Sequence, residues 1–230
     1  MDIGKLLEEI LLEDKVMIHL PFGNGFFDIN QSVVYTWFVI IFLLLICIIL
    51  TTGMRTHNPG KRQLIAEFIV SFFRKMTGEM LGEEGKIYSE FIITVLIYIG
   101  TSNLVGLLGK KPPTMDLNVT LALSLMSIFL IEFAGIRKKG GKKWIKSFAQ
   151  PMWVVTPMNI LEVAIKPLSL CMRLFGNVIG ATVIMELIRM AVPLIVPVVF
   201  SLYFDIFDGL IQAYVFVFLT SLYIKEAVED

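Results

Sequence analysis

The sequence predicts an all-α membrane protein: five transmembrane helices plus a surface amphipathic helix, the last two spans long enough to tilt steeply as a hairpin. Three observations carry this reading. Of 230 residues, 56% are hydrophobic and only 17% charged, where a soluble domain has about a quarter charged. Residues 30–54 hold no charged side chain, enough to cross a hydrocarbon core that needs about 20 residues. Further long apolar runs follow, punctuated by turn residues and basic clusters. This composition excludes a soluble enzyme and a nucleic-acid binder. Twenty basic and twenty acidic side chains cancel, so only their placement along the chain is informative.

Residues 1–30 read as an external N-terminal segment. They carry Asp2, Glu8, Glu9, Glu13, Asp14 and Asp28 against Lys5 and Lys15. A secretory signal starts basic, so no cleaved signal is expected. Leu6, Leu7, Ile10 and Leu11 have the spacing of one face of a short amphipathic helix, and Pro21, Gly23 and Gly25 break the chain before the first span.

Residues 31–136 hold the first span, the surface helix and a transmembrane hairpin. The first span is expected over 31–52. Arg55, Pro59, Gly60, Lys61 and Arg62 then form a polar connection. Leu64, Ile65, Phe68, Ile69, Phe72 and Met76 recur at helical spacing with Glu67, Arg74 and Lys75 on the other face, the pattern of a helix lying on the membrane surface. A second span fits 88–109, Lys110 to Pro113 make a tight turn, and 116–136 returns across the membrane with Glu132 near its far end.

Residues 137–150 read as a basic loop, with Arg137, Lys138, Lys139, Lys142, Lys143 and Lys146 unopposed by a nearby acid. The positive-inside rule puts this loop in the cytoplasm together with Arg55, Lys61 and Arg62, and the acidic N-terminus outside. Lys110 and Lys111 fall outside against that bias. A solvated linker touching anionic lipid is the plainer account of the loop. Residues 151–230 contain two apolar helical patterns, 157–191 and 195–224, with Pro193 and Pro197 between them. At 1.5 Å per residue the first would reach about 50 Å, against a core of about 30 Å, so it must tilt, bend or project. Five crossings then leave the C-terminus in the cytoplasm. Cys47 and Cys171 lie in apolar runs and read as small buried hydrophobes.

The chemistry concentrates on the two long helices. At about 100° per residue, Glu162, Lys166, Ser169, Arg173 and Asn177 project to one side of the first. Glu162 and Lys166 have the spacing of an ion pair. An arginine near the bilayer centre costs about 2.5 to 3.5 kcal/mol on insertion scales, and Arg173 has no acid three or four positions away. It serves a task, pairs with an acid on the second long helix, or snorkels. On that second helix Ser201, Asp205, Asp208 and Gln212 share a face. Intramembrane carboxylates mark an ion pathway or a structural pair with Arg173. Glu186 and Arg189 can pair locally, with Glu186 a further proton-carrying candidate. No Gly-rich phosphate loop and no Ser, His and Asp set occurs, His19 and His57 stand isolated, and no metal site or cofactor is expected. Any transport is therefore passive or powered through another subunit.

Lys166-Pro167-Leu168-Ser169-Leu170-Cys171-Met172-Arg173-Leu174-Phe175-Gly176-Asn177, then Gly209-Leu210-Ile211-Gln212-Ala213-Tyr214-Val215-Phe216 with Leu219-Thr220 and Tyr223-Ile224, resemble subunit a of the F-type ATP synthase. Asp116-Leu117-Asn118-Val119-Thr120 is similar to that family's D-x-N-x-T element, and the resemblance covers essentially the whole chain. It implies a non-catalytic subunit of a bacterial plasma membrane, with ATP chemistry elsewhere in the complex. It further implies two aqueous half-channels that pass protons or sodium ions to a c-ring, with the peripheral-stalk b subunits and the lipid bilayer as the other partners. By the same resemblance Arg173 is the essential arginine, Asn177 and Gln212 its polar channel neighbours, and Glu162 an acid near one aqueous path. The sequence departs from the family at Thr182, where many members carry an ionisable group. Asp205 occupies a second ionisable position of the family, and Asp205 or Glu186 is the expected compensation.

Overall fold

In a computed structural model, residues 16–18, 29–54, 60–147, 153–192 and 196–229 are described, and the N-terminal amphipathic helix expected around residues 6–11 lies outside them. Two short strands, β1 (Val16–Ile18) and β2 (Ile29–Asn30), pair antiparallel and lead into α1 (Gln31–Thr51). Only Val39 of α1 is buried. Trp37, Phe38, Ile41, Leu44, Leu45, Ile48 and Ile49 are each more than half exposed, a surface that hydrocarbon covers and water does not. Cys47 lies on this helix and is exposed, a correction to the expectation of burial, while Cys171 is buried and both are free thiols. Apolar character in a bilayer points outward as readily as inward.

Helix α2 (Lys61–Gly85) is broken at Gly82, whose φ of 68° only glycine adopts without strain. A 3-10 turn (Lys86–Tyr88) carries it into α3 (Ser89–Leu104), and a second 3-10 turn (Val105–Leu108) extends α3 to the left-handed Gly109, where the chain reverses. A third such turn (Pro113–Met115) precedes α4 (Leu117–Lys139). The Asp116 carboxylate caps α4 by accepting from the Asn118 backbone N–H at 2.8 Å. It also accepts from Ser32 Oγ on α1, so one side chain starts a helix and ties it to its neighbour.

The basic stretch expected as a loop is mostly helical. Arg137, Lys138 and Lys139 form the last turn of α4, where cations oppose the partial negative charge of the carbonyl end. Past Gly140, α5 (Gly141–Ser147) carries Lys142, Lys143 and Lys146. Trp144 Nε1 donates to Glu132 Oε2 at 3.1 Å, folding α5 back on α4, and Lys138 pairs with Glu84 at 2.7 Å.

Helix α6 (Thr156–Ala191) runs 36 residues with Pro167 inside it. The second long element is not one α-helix: α7 (Val196–Ser201) passes into a π-helical segment (Leu202–Asp208), then α8 (Gly209–Val228). At the end of that segment the Gly209 N–H reaches back to the Phe204 carbonyl, five residues away. Helix α8 is the centre of the bundle, packed by α2, α3 and α4, while α6 lies along α4. Phe216, Val217 and Ile224 of α8 meet Ile92, Ile99, Ile131 and Leu174 in the core. Ser124, Ser127, Thr220 and Ser221 are buried where helices meet. The hydroxyls of Ser127 and Thr220 bond their own helix backbone at 3.0 and 2.9 Å, and small side chains let helices approach closely, as membrane packing favours. Among the described residues, five segments are long and apolar enough to cross a bilayer. The chain is a multi-pass membrane protein.

Candidate functional site

A polar cavity of about 150 Å³ opens between α3, its 3-10 extension, α6, the π segment and the start of α8, beside the turn that holds Lys110 and Lys111. Asn177 and Glu186 face it from α6, Asp205 and Asp208 from the π segment, Gln212 from α8, and Asn103 from α3.

Asn177 Nδ2 donates to Gln212 Oε1 at 2.5 Å, joining α6 to α8. Gln212 is 3% exposed and its Nε2 has no hydrogen-bond partner among the described residues. Ser201 Oγ donates to Asp205 Oδ2 at 2.6 Å. Asp208 has no hydrogen-bond partner among the described residues. Glu186 accepts from Arg189 at 2.8 Å, so the local pair forms and both residues line the cavity. Thr182 also lines it, its hydroxyl donating to the Val178 carbonyl at 2.9 Å.

Arg173 stands outside this cavity. It is exposed and has no ion-pair or hydrogen-bond partner among the described residues. The pairing with Asp205 or Asp208 that the sequence left open does not form, because both acids face the cavity while the guanidinium lies on the uncovered side of α6. Ile165, Leu168 and Met172 on α6 are likewise more than half exposed. Asn177 is one turn away, about 6 Å along the axis.

Glu162 is also outside the cavity, on the far side of Arg173. Lys166 Nζ lies 3.0 Å from Glu162 and 3.3 Å from Glu226 on α8, and 5.0 Å from the centroid of the Tyr223 ring. Seven residues, about 10 Å of helix, separate Lys166 from Arg173. The structure thus sets two polar groups on either side of one unpaired arginine. Sequence reasoning missed Glu226, which carries no local signal toward a lysine 60 positions earlier. It also missed Asn103, whose Nδ2 donates to the Gly209 carbonyl at 2.8 Å and whose Oδ1 accepts from Thr114 at 2.7 Å. A lone asparagine within an apolar span was the available signal. Among the described residues no group of three or more His, Cys, Asp or Glu side chains could hold a metal ion.

Residues 33–225 match the family described as ATP synthase A chain. A protein of Moorella thermoacetica named ATP synthase subunit a is 37% identical over 208 residues, covering 90% of this chain and 94% of that relative. One of Propionigenium modestum, named ATP synthase subunit a, sodium ion specific, is 31% identical, covering 97% and 83%. A third, the ATP synthase subunit a of Legionella pneumophila, is 31% identical, covering 94% of each chain.

Proposed function

The chain belongs to the ATP synthase A chain family, and from that premise we propose that it is the ion-translocating stator subunit of a bacterial F-type ATP synthase. It offers two aqueous half-channels, offset along the membrane normal, to a rotating c-ring, and is held against rotation by the peripheral-stalk b subunits. One half-channel is the cavity of Asn177, Asp205, Asp208, Glu186 and Gln212. The other begins at Glu162, Lys166 and Glu226. The observation that carries this is Arg173, a charge in mid-span that no described residue of its own chain meets.

A guanidinium at that depth is costly unless an anion arrives from outside the chain, and a ring carboxylate is that anion. Arginine stays protonated at any working pH, so it attracts an ionised carboxylate without itself carrying the ion. It therefore separates the two half-channels and blocks a direct leak. Ions load a ring site from one path, travel round and leave by the other. Each charge falling through 100 mV supplies about 2.3 kcal/mol, so several must combine for each ATP. The two long helices, tilted, follow the flank of the ring, α2 lies on the membrane surface, and α5 and the C-terminus are cytoplasmic with the N-terminus outside.

Cysteine cross-linking tests the rotor contact. A Met172→Cys variant should form a disulfide with a cysteine on the outer helix of the ring, and the trapped complex should neither synthesise ATP nor pump. A self-contained transporter predicts the opposite: the chain reconstituted alone would move solute, and no ring cross-link would form.

A further inference from the structure

One oxygen of the Asp205 carboxylate is fixed by a hydrogen bond from Ser201, and the other lies over a residue that has no side chain. A methyl group on Gly106 would stand 2.5 Å from Asp205 Oδ1, 3.0 Å from its Cγ and 3.6 Å from Oδ2, and these are the nearest atoms it would meet. Gly106 does not adopt a left-handed conformation. The described glycines that do are Gly53, Gly82, Gly109 and Gly140. At Gly109 the backbone itself requires glycine. At Gly106 alanine would suit a helical turn better, and only the neighbouring carboxylate stands in its way.

We propose that Gly106 is a positioning residue for ion transfer: its bare Cα is the notch that lets the Asp205 carboxylate stand where it does in the cavity. The inference rests on reading Asp205 as an ion relay. Ser201 Oγ donates to Oδ2 at 2.6 Å, while Oδ1, over the notch, accepts no hydrogen bond among the described residues, and the carboxylate lines the cavity. A side chain at position 106 would push the carboxylate away by about 1 Å to reach ordinary contact, at the expense of the Ser201 bond or of its aim into the cavity. Proton transfer needs partners within about 2.6 to 3.2 Å, directly or through one water, so a shift of that size moves the group out of transfer range.

The test uses the assembled complex in inverted membrane vesicles, with Gly106→Ala, Asp205→Ala and the double variant. Gly106→Ala is expected to lower ATP-driven ion pumping about tenfold or more, the scale of a displacement of about 1 Å, and to shift its pH profile. The other groups facing the cavity, Asp208, Glu186 with Arg189, Lys110 and Lys111, are unchanged in that variant. In the Asp205→Ala background, Gly106→Ala should leave the thermal midpoint of the complex unchanged or higher, because the collision partner is gone. If Gly106→Ala alone fails to assemble, assembly of the double variant supports the notch and its failure overturns it. A Gly106→Ala complex with wild-type pumping and an unmoved pH profile overturns the proposal. Full pumping by Asp205→Ala would instead remove the relay reading, and with it any transport role for Gly106, whatever the stability measurements give.

Discussion

Replacing Arg173 by alanine separates a rotor-facing charge from a structural one by the sign of a single stability change. The guanidinium makes no hydrogen bond or ion pair among the described residues, so truncation removes no such interaction within the chain. It does remove a mid-span charge whose insertion cost is about 2.5 to 3.5 kcal/mol. Snorkelling and local hydration reduce that figure in the wild type, so the isolated subunit should gain between zero and about 3 kcal/mol. A buried ion pair would give the reverse: removing one partner leaves an uncompensated charge and costs about 3 to 5 kcal/mol. Reversible unfolding of the purified subunit in mixed micelles measures the first quantity, and gradient-driven ATP synthesis in vesicles measures function. The expected result is equal or greater stability with synthesis lost and the ring still bound. Arg173→Lys should restore synthesis only in part, since a compact ammonium lacks the planar fork. A loss of about 3 kcal/mol, or normal synthesis by the alanine variant, would refute the reasoning.

Asp205→Asn keeps the shape and an acceptor for Ser201 Oγ but cannot exchange a proton, so coupled transport should fall steeply while assembly persists; unchanged ATP synthesis would eliminate the relay and move attention to Asp208 or Glu186. Gln212→Leu removes the bond from Asn177, an exposed side chain that water can satisfy, together with a buried amide donor that has no partner among the described residues, so stability should be unchanged or rise by up to about 2 kcal/mol, read from the unfolding of the purified subunit; a loss of about 1 kcal/mol or more would show that the Asn177 bond itself holds α6 to α8. Lys166→Gln leaves Glu162 and Glu226 facing one another without their cation, and should weaken the complex detectably, with Glu226→Gln in the same chain restoring it; absence of that rescue would show the cluster to be solvent-screened. A cysteine in place of Lys143 should react with a membrane-impermeant thiol reagent in inverted vesicles and not in intact cells, and labelling from outside would reverse the topology.

The spans were legible because long apolar runs and basic clusters are averages over many residues. The first span was expected over 31–52 and occurs as Gln31–Thr51; the fourth was expected over 157–191 and occurs as Thr156–Ala191. The helical period put Arg173 and Asn177 on one face of α6, yet only Asn177 lines the cavity, and in the π segment the α-helical spacing does not hold. Choice of partner was not legible. Lys166 reaches Glu226 as well as Glu162, and Asn103 reaches the Gly209 carbonyl across 106 positions, and no local pattern distinguishes such pairs from others. Helix content near charges was also misjudged: a run of lysines reads as a loop, yet at the carbonyl end of α4 it satisfies the helix. The Asp116 to Thr120 stretch, recognised by likeness, has a structural reason in the cap and the Ser32 bond.

The π segment is where the winding changes beside the site. Sequence periodicity assumes one winding throughout, and nothing in Leu202–Asp208 signals a wider one, yet wider winding is common where a helix carries function. Its far end is not left to α8 alone. Gly209 lies so close to α3 that a methyl group there would meet Asn103 Cβ at 3.0 Å, and Asn103, held in turn by Thr114, donates to the Gly209 carbonyl. This chain of buried hydrogen bonds runs from the 113–115 turn through α3 to the end of the π segment, and all three residues are nearly inaccessible. Fixing the backbone from outside leaves Asp205 with a single side-chain bond, from Ser201, and Asp208 with none among the described residues. Asp208 needs no partner to keep its place, and Asp205 keeps one oxygen free over Gly106. The holding here falls to an amide, a hydroxyl and one close glycine: Asn103, Thr114 and Gly209.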